Sequence, residues 1–325
     1  MDFDYSADKS NMGLTLSKFS QQCRDALSLG KKIKIETKVK NIVVVGMGGS
    51  GIACSLLKDY LGNKVPIHVV QDYTLPEFVD AQSLVFCVSY SGNTAETVSC
   101  FRSTIRQNVQ VVAITTGGKL KELAKRFEKN LIELPGGIPP RTALGYLFIP
   151  MLTVLQNSGI ITDRTDEIKN MIDSLMNVKF KENAQELAKK LQFKIPIIYS
   201  SNRLKAVALR WKQQFNENSK VHCFSNVIPE IDHNEIVGYE NLMGDYFVII
   251  LKDEKDNMNV KEKMSVVKKI ISDKCPVMEL VVKGDCLLTK MFSAIYLGDL
   301  TSFYLALLYG VDPAVTESID EIKKH

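Results

Sequence analysis

Short apolar runs alternating with helix-length segments predict an α/β fold of two doubly wound domains, each a parallel sheet flanked by helices. Three observations carry this. The runs NIVVV (Asn41–Val45), LVFCV (84–88) and FVIIL (247–251) are of strand length and rich in β-branched residues, the pattern of strands buried on both faces. A helical pattern follows each, and strand–helix alternation means parallel pairing with right-handed crossovers. The alternation also runs twice, with a polar helical stretch, 159–194, between the two passes. The boundary is therefore expected near Gly159, giving domains 1–158 and 159–325.

Residues 1–12 read as frayed, and Leu14, Leu16, Phe19, Cys23 and Leu27 share one helical face over 13–29. Strand 41–45 then leads through Gly46-Met47-Gly48-Gly49-Ser50-Gly51 into a helix over 52–61, closed by Gly62. Strands 67–70, 84–88, 109–115 and 131–134 alternate with helices 95–106 and 119–128. After Pro139-Pro140-Arg141, LGYLFIPMLTVLQ is apolar nearly all round, as a helix buried between layers would be. The second pass reads strand 195–199, helix 204–216, strand 221–224, short helix 231–239 and strand 247–251. A charged amphipathic helix over 258–272, strand 278–282, long helix 287–309 and a short terminal helix complete it.

The 325 residues are 45% hydrophobic, enough for a sizeable core, and the net charge of +4 is too mild for a dedicated nucleic-acid binder. Cys23, Cys54, Cys87, Cys100, Cys223, Cys275 and Cys286 are scattered, mostly within apolar patterns. This predicts free thiols and a reduced, cytoplasmic compartment. No CxxC pair exists and the histidines are only four, so no metal site is expected. No signal segment is evident, and no apolar run is expected to reach membrane-spanning length.

Two loops stand out at strand ends, where ligands sit in such sheets. Ser89-Tyr90-Ser91-Gly92-Asn93-Thr94 puts three hydroxyls and a glycine where a strand ends and a helix begins. A helix N-terminus has unpaired N–H groups and about half a positive charge, so added hydroxyls suit a phosphate. The loop has no Lys or Arg, unlike a P-loop, which fits one terminal phosphate on a small molecule. Ser and Thr are also ordinary helix caps, and a plain Ser-rich cap reads the same way. The other loop meets the dinucleotide spacing with Gly46, Gly48 and Gly51, and Asp72 stands where a ribose partner would. An NAD(P) dehydrogenase therefore stays open, although Ser89–Thr94 has no role in a dinucleotide site. Two hydroxyl-bearing loops facing one crevice suit a single sugar phosphate better.

Later in the chain, Glu217 ends a helix in QFNENSK, and His233 opens a short one in DHNEIVGYE. Read singly, Glu217 is a solvated acid and His233 a partial cap. Their weight changes only through the resemblance that the ordered motifs carry.

GMGGSG with SYSGNTAET resembles the sugar isomerase (SIS) fold. With PPRTALGYLF, QFNENSK, DHNEIVGYE and the terminal IDEIK in the same order, the chain resembles the archaeal bifunctional phosphoglucose/phosphomannose isomerase family from about residue 41 to 324. The resemblance implies cofactor-independent interconversion of glucose 6-phosphate and mannose 6-phosphate with fructose 6-phosphate through a cis-enediol(ate). It implies that Ser50, Ser89, Ser91 and Thr94 hold the 6-phosphate, that Gly48 and Gly49 belong to the substrate site, and that Glu217 moves the proton, Arg141 steadies the enediolate and His233 opens the ring. Such an exchange needs one base, one fixed cation and one further acid/base, and these residues are one of each. It also implies that Lys323, or Lys324, assists ring opening and that Thr316 leaves room for both C2 epimers. The partners it implies are a small sugar phosphate and a second copy of the chain, with His233 shared across a homodimer; no nucleic acid or membrane is implied. A non-catalytic sugar-phosphate sensor on the same fold is the alternative.

Overall fold

The computed structural model describes residues 3–62 and 65–322. It divides into two compact units. One comprises residues 18–172; the other comprises residues 1–17 with 173–325.

The first unit is built on a five-stranded parallel sheet in the order β2-β1-β3-β4-β5, with β1 Asn41–Val45, β2 Ile67–Val70, β3 Ser83–Val88, β4 Gln110–Thr115 and β5 Asn130–Glu133. The central β1 and β3 pair in register, Val44 against Phe86. Val43, Val45, Val85, Cys87, Val111 and Ala113 point to one face, onto Val98 and Phe101 of helix Ala95–Arg106 and Leu120 of helix Gly118–Arg126. The alternate residues Ile42, Val44, Leu84 and Phe86 face the other way and are equally buried. Chain order reverses between β1 and β3, and such a switch point opens a crevice at the carboxyl ends of the strands.

The second unit repeats the plan with four parallel strands, β7-β6-β8-β9, where β6 is Ile195–Ser201, β7 Phe224–Ile228, β8 Tyr246–Lys252 and β9 Val277–Val281. Ile197, Tyr199, Val248 and Ile250 pack on Met264, Val267 and Ile271 of helix Met258–Ser272. Helix Leu287–Leu308 packs against helix Lys205–Gln214. Gly298 allows this approach, because a Cβ there would lie 2.4 Å from the Trp211 indole nitrogen. Arg210 and Asp299 form a buried two-pronged ion pair across the same contact, at 3.0 and 2.6 Å.

Four expectations need revision. The unit boundary falls at 172/173 rather than near Gly159. Helix Thr165–Ser174 remains with the first unit over most of its length, because it buries Ile168, Met171 and Ile172 and Glu167 accepts the Tyr60 hydroxyl at 2.8 Å. The helix read over 13–29 is two, Met12–Ser17 and Phe19–Ala26, and the break at Lys18 is where the chain passes between units. The strand read over 221–224 begins only at Phe224, since Lys220 turns left-handed and Asn216 Oδ1 takes the Cys223 N–H at 2.9 Å. Finally, helix Leu287–Leu308 is long and apolar enough to cross a membrane, but most of it is buried in the protein, and it carries Asp299 of the Arg210–Asp299 pair.

Candidate active site

In the first unit three loops converge at the β1/β3 switch point. The turn after β1 enters helix Gly48–Leu61 with Gly48 at φ +50°, a left-handed value that glycine adopts without strain. Ser50 Oγ accepts the Tyr90 N–H at 3.2 Å and so ties this turn to the loop after β3. Gly49 lies against a third loop: a Cβ there would sit 3.0 Å from Arg141 Cα and 3.1 Å from the Pro140 carbonyl. Tyr90 Oη donates to the Pro135 carbonyl at 3.0 Å and fixes the start of that same loop. Burial of the Tyr90 ring raises its pKa, so the phenol keeps this proton. Arg141 is buried in the turn Pro140–Thr142, and Gln22 clamps the turn's exit, donating to Thr142 O at 2.8 Å and accepting from Gly145 N at 2.7 Å.

The hydroxyls of the second loop can be counted proton by proton. Ser89 is fully buried; its Oγ accepts the Gly92 N–H at 3.1 Å and pairs with Thr94 Oγ1 at 2.8 Å. One proton serves that pair, which leaves the other for an outside acceptor. Thr94 is half-buried and Ser91 exposed, and both stand at the start of helix Ala95–Arg106. Gly92 at φ +72° makes the turn possible, since a Cβ there would lie 1.8 Å from Gly117 O. Together the loops offer neutral hydroxyl donors, a helix N-terminus and a guanidinium on the neighbouring turn, a set suited to an oxyanion.

In the second unit, helix Lys205–Gln214 widens into one π-helical turn, Phe215–Ser219, which carries Glu217 half-buried. Such single turns recur at functional sites. Helix Leu287–Leu308 holds this one from beneath: Asn218 Nδ2 donates to Ser302 Oγ at 3.0 Å, and Ser219 Oγ to Ser302 O at 2.7 Å. Lys220 caps it, with Nζ 2.6 Å from Glu217 O and 3.5 Å from Pro313 O. Lys220 thereby links the Glu217 turn to the segment holding Thr316, whose carbonyl starts helix Glu317–Ile322. His233 is exposed on the turn Glu230–His233 after β7. Lys323 and Lys324 lie outside the described residues.

Comparison with known proteins places the fold in a family. Residues 37–136 match the SIS domain, and residues 180–325 match the bacterial phospho-glucose isomerase C-terminal SIS domain. A bifunctional phosphoglucose/phosphomannose isomerase of Caldicellulosiruptor bescii is 38% identical over 93% of this chain and 95% of its own. One from Aquifex aeolicus is 39% identical over 89% of this chain and 91% of its own. This chain belongs to the bifunctional phosphoglucose/phosphomannose isomerase family. The C-terminal domain of a glucosamine-fructose-6-phosphate aminotransferase from Francisella tularensis shares the fold, with a TM-score of 0.72 at 18% identity, covering 94% of this chain and 97% of that one.

For this isomerase-family chain, the first unit gathers seven of the sequence-predicted residues around one switch point: Gly48, Gly49, Ser50, Ser89, Ser91, Thr94 and Arg141. The second unit carries Glu217, His233 and Thr316. Sequence reading missed the supports. Tyr90, Gln22, Lys220 and Ser302 act over long sequence separations; Tyr90 and Lys220 stand inside the motifs SYSGNTAET and QFNENSK, whereas Gln22 and Ser302 carry no local signal.

Proposed function

We propose that the protein is a cofactor-independent aldose–ketose isomerase that interconverts glucose 6-phosphate and mannose 6-phosphate with fructose 6-phosphate. The observation that carries this is the 38% identity, over nearly the full length, to a protein of that name. The chemistry is an internal redox exchange: C2 of the aldose is oxidised while C1 is reduced, so no outside oxidant is needed. Glu217 takes the C2 proton, a cis-enediolate forms, and the proton returns at C1. Arg141 balances the charge on the enediolate oxygens, and being always protonated it does so at any working pH. Ser50, Ser91 and Thr94 donate to the 6-phosphate, Ser89 acts from inside the loop through Thr94, and Gly48 and Gly49 let the backbone come close. His233 opens the cyclic substrate and is supplied to the site by the second chain of a homodimer. Thr316 lines the C2 end, and Lys323 assists ring opening.

The test is Glu217→Gln, with fructose 6-phosphate as substrate and chelator present. Loss of a positioned general base costs ~100- to 10,000-fold in kcat. Undiminished turnover refutes the role of Glu217. If the unaltered protein is stabilised by fructose 6-phosphate but forms neither aldose phosphate, it is a sugar-phosphate binder rather than an enzyme.

A further inference from the structure

We infer that Glu235, held by Tyr199, Tyr239 and Asn226, is a positioning residue for His233. The inference rests on the ring-opening role proposed for His233.

His233 is exposed, yet the chain on either side of it is pinned. Two residues before, Ile231 is fully buried in the core of the second sheet. Two residues after, Glu235 reaches back to two strands. Its Oε1 accepts the Tyr199 hydroxyl of β6 at 2.7 Å, and its Oε2 accepts Asn226 Nδ2 of β7 at 2.6 Å. A phenol has one proton, and Tyr199 gives it to the carboxylate. The 2.8 Å contact between Tyr199 and Tyr239 therefore runs with Tyr239 as donor. The chain of donors is Tyr239 to Tyr199 to Glu235, closed from the other side by Asn226. Tyr239 belongs to the same 3-10 segment as Glu235, Glu235–Glu240, so both ends of that segment are tied to one buried hydroxyl. Between the anchors Asn234 stiffens the link, accepting Glu235 N at 2.6 Å and donating to Glu230 Oε1 at 2.9 Å.

This is costly architecture for a surface turn. Two buried phenols and a carboxylate must all be satisfied, and a half-satisfied buried network is worse than an apolar one. Its product is a backbone fixed at both shoulders of one exposed imidazole. A side chain that acts on a molecule outside its own fold gets no help from its own neighbours, so its direction must come from the backbone beneath it. Sites left unsupported by such surrounding bonds lose their geometry.

The experiment is a double-mutant cycle. Glu235→Gln and Tyr199→Phe are each made alone and together with His233→Ala, and kcat and KM for fructose 6-phosphate are measured beside thermal melting. The expected result is a kcat about tenfold lower for Glu235→Gln, with KM within about twofold. That loss should vanish when His233 is already gone, because coupled residues are non-additive. A purely structural role gives the same fold-loss in both backgrounds, and that result, or an unchanged kcat in Glu235→Gln, overturns the inference. If His233→Ala alone turns over at the unaltered rate, the ring-opening role falls and this inference with it, a pattern distinct from additivity. Should Glu235→Gln not fold, Tyr199→Phe carries the test, since it removes one hydroxyl and leaves the ring packing in place.

Discussion

Ser302→Ala tests whether the π-helical turn positions Glu217. Ser302 is fully buried on helix Leu287–Leu308; its hydroxyl donates to Asp299 O at 2.8 Å and accepts Asn218 Nδ2 at 3.0 Å. Alanine leaves the Asn218 amide, itself fully buried, without that acceptor. An unsatisfied buried donor costs ~1–3 kcal/mol. At ~2–4 °C per kcal/mol for a unit of this size, Tm should fall by roughly 2–12 °C. The Ser219 bond to the backbone carbonyl of Ser302 survives the change, so the turn stays attached and the loss falls on the Asn218 amide. Glu217 is its chain neighbour, and a displacement of about 1 Å costs on the order of 100-fold. The expected kcat is therefore ~10- to 100-fold lower, with KM for fructose 6-phosphate nearly unchanged, because only the reacting group moves. A lowered Tm with unaltered kcat would refute the reasoning: Asn218 would then support the fold and not the base.

Thr94→Val removes the half-buried hydroxyl facing the proposed phosphate; a hydrogen bond to a charged group is worth ~1.5–3 kcal/mol, so KM should rise at least tenfold and inhibition by inorganic phosphate should weaken in parallel. Gly92→Ala would set a Cβ 1.8 Å from the Gly117 carbonyl at φ +72°, and limited proteolysis should find the first unit opened. Asp253→Asn strips the fully buried partner of Lys290 and Arg203, a loss of ~3–5 kcal/mol. Burial alone would raise the Asp253 pKa, but Lys290, the Lys255 N–H and Arg203 together hold it below the usual carboxylate value. A depressed acid stabilises above its unfolded pKa of ~3.9 and loses that contribution as pH falls through the folded value. Denaturant midpoints of the two proteins should thus differ by a constant amount from pH 7 to 5 and converge only in stronger acid.

Local signals made much of this legible. Strand β1 is legible residue for residue, because a strand buried on both faces announces itself as an unbroken apolar run. The phosphate loop was readable for the same reason: Ser89, Ser91, Gly92 and Thr94 are neighbours, and their chemistry is a property of one strand–helix junction. What hydropathy could not show was set at long range. Arg141 meets the first loop where Gly49 lacks a Cβ, and Tyr90 reaches Pro135 across 45 residues. Glu217 does stand at a helix end, but the widening of that last turn, held by Ser302 far along the chain, leaves no hydropathy signal, and the following strand starts three residues later than the apolar pattern predicts because Lys220 and Asn216 use up those positions.

The two sheets put the same architectural opportunity to opposite use. In the first, the β1/β3 switch point is lined by hydroxyls that keep a proton to spare and by a backbone thinned with glycine. In the second, chain order reverses between β6 and β8, and the loops leaving those strands close on each other. Ser201 Oγ donates to Asp256 at 2.5 Å, Asp256 accepts the Asp253 N–H at 2.9 Å, and Asp253 accepts from Arg203 at 2.7 Å and from Lys290. The cations that would draw an anionic ligand there already hold a carboxylate of their own chain. An internal anion of fixed geometry loses no translational freedom on binding, so a free phosphate competes with it at a disadvantage. The second switch point thus serves cohesion, and Glu217 and His233 stand outside it, on the π-helical turn after helix Lys205–Gln214 and on the turn after β7. Asp253→Asn bears on this directly: by vacating the carboxylate it should let inorganic phosphate protect the second unit against unfolding, whereas the unaltered protein should gain nothing there. Phosphate protection of the second unit in the unaltered protein would show that Asp253 does not close the crevice.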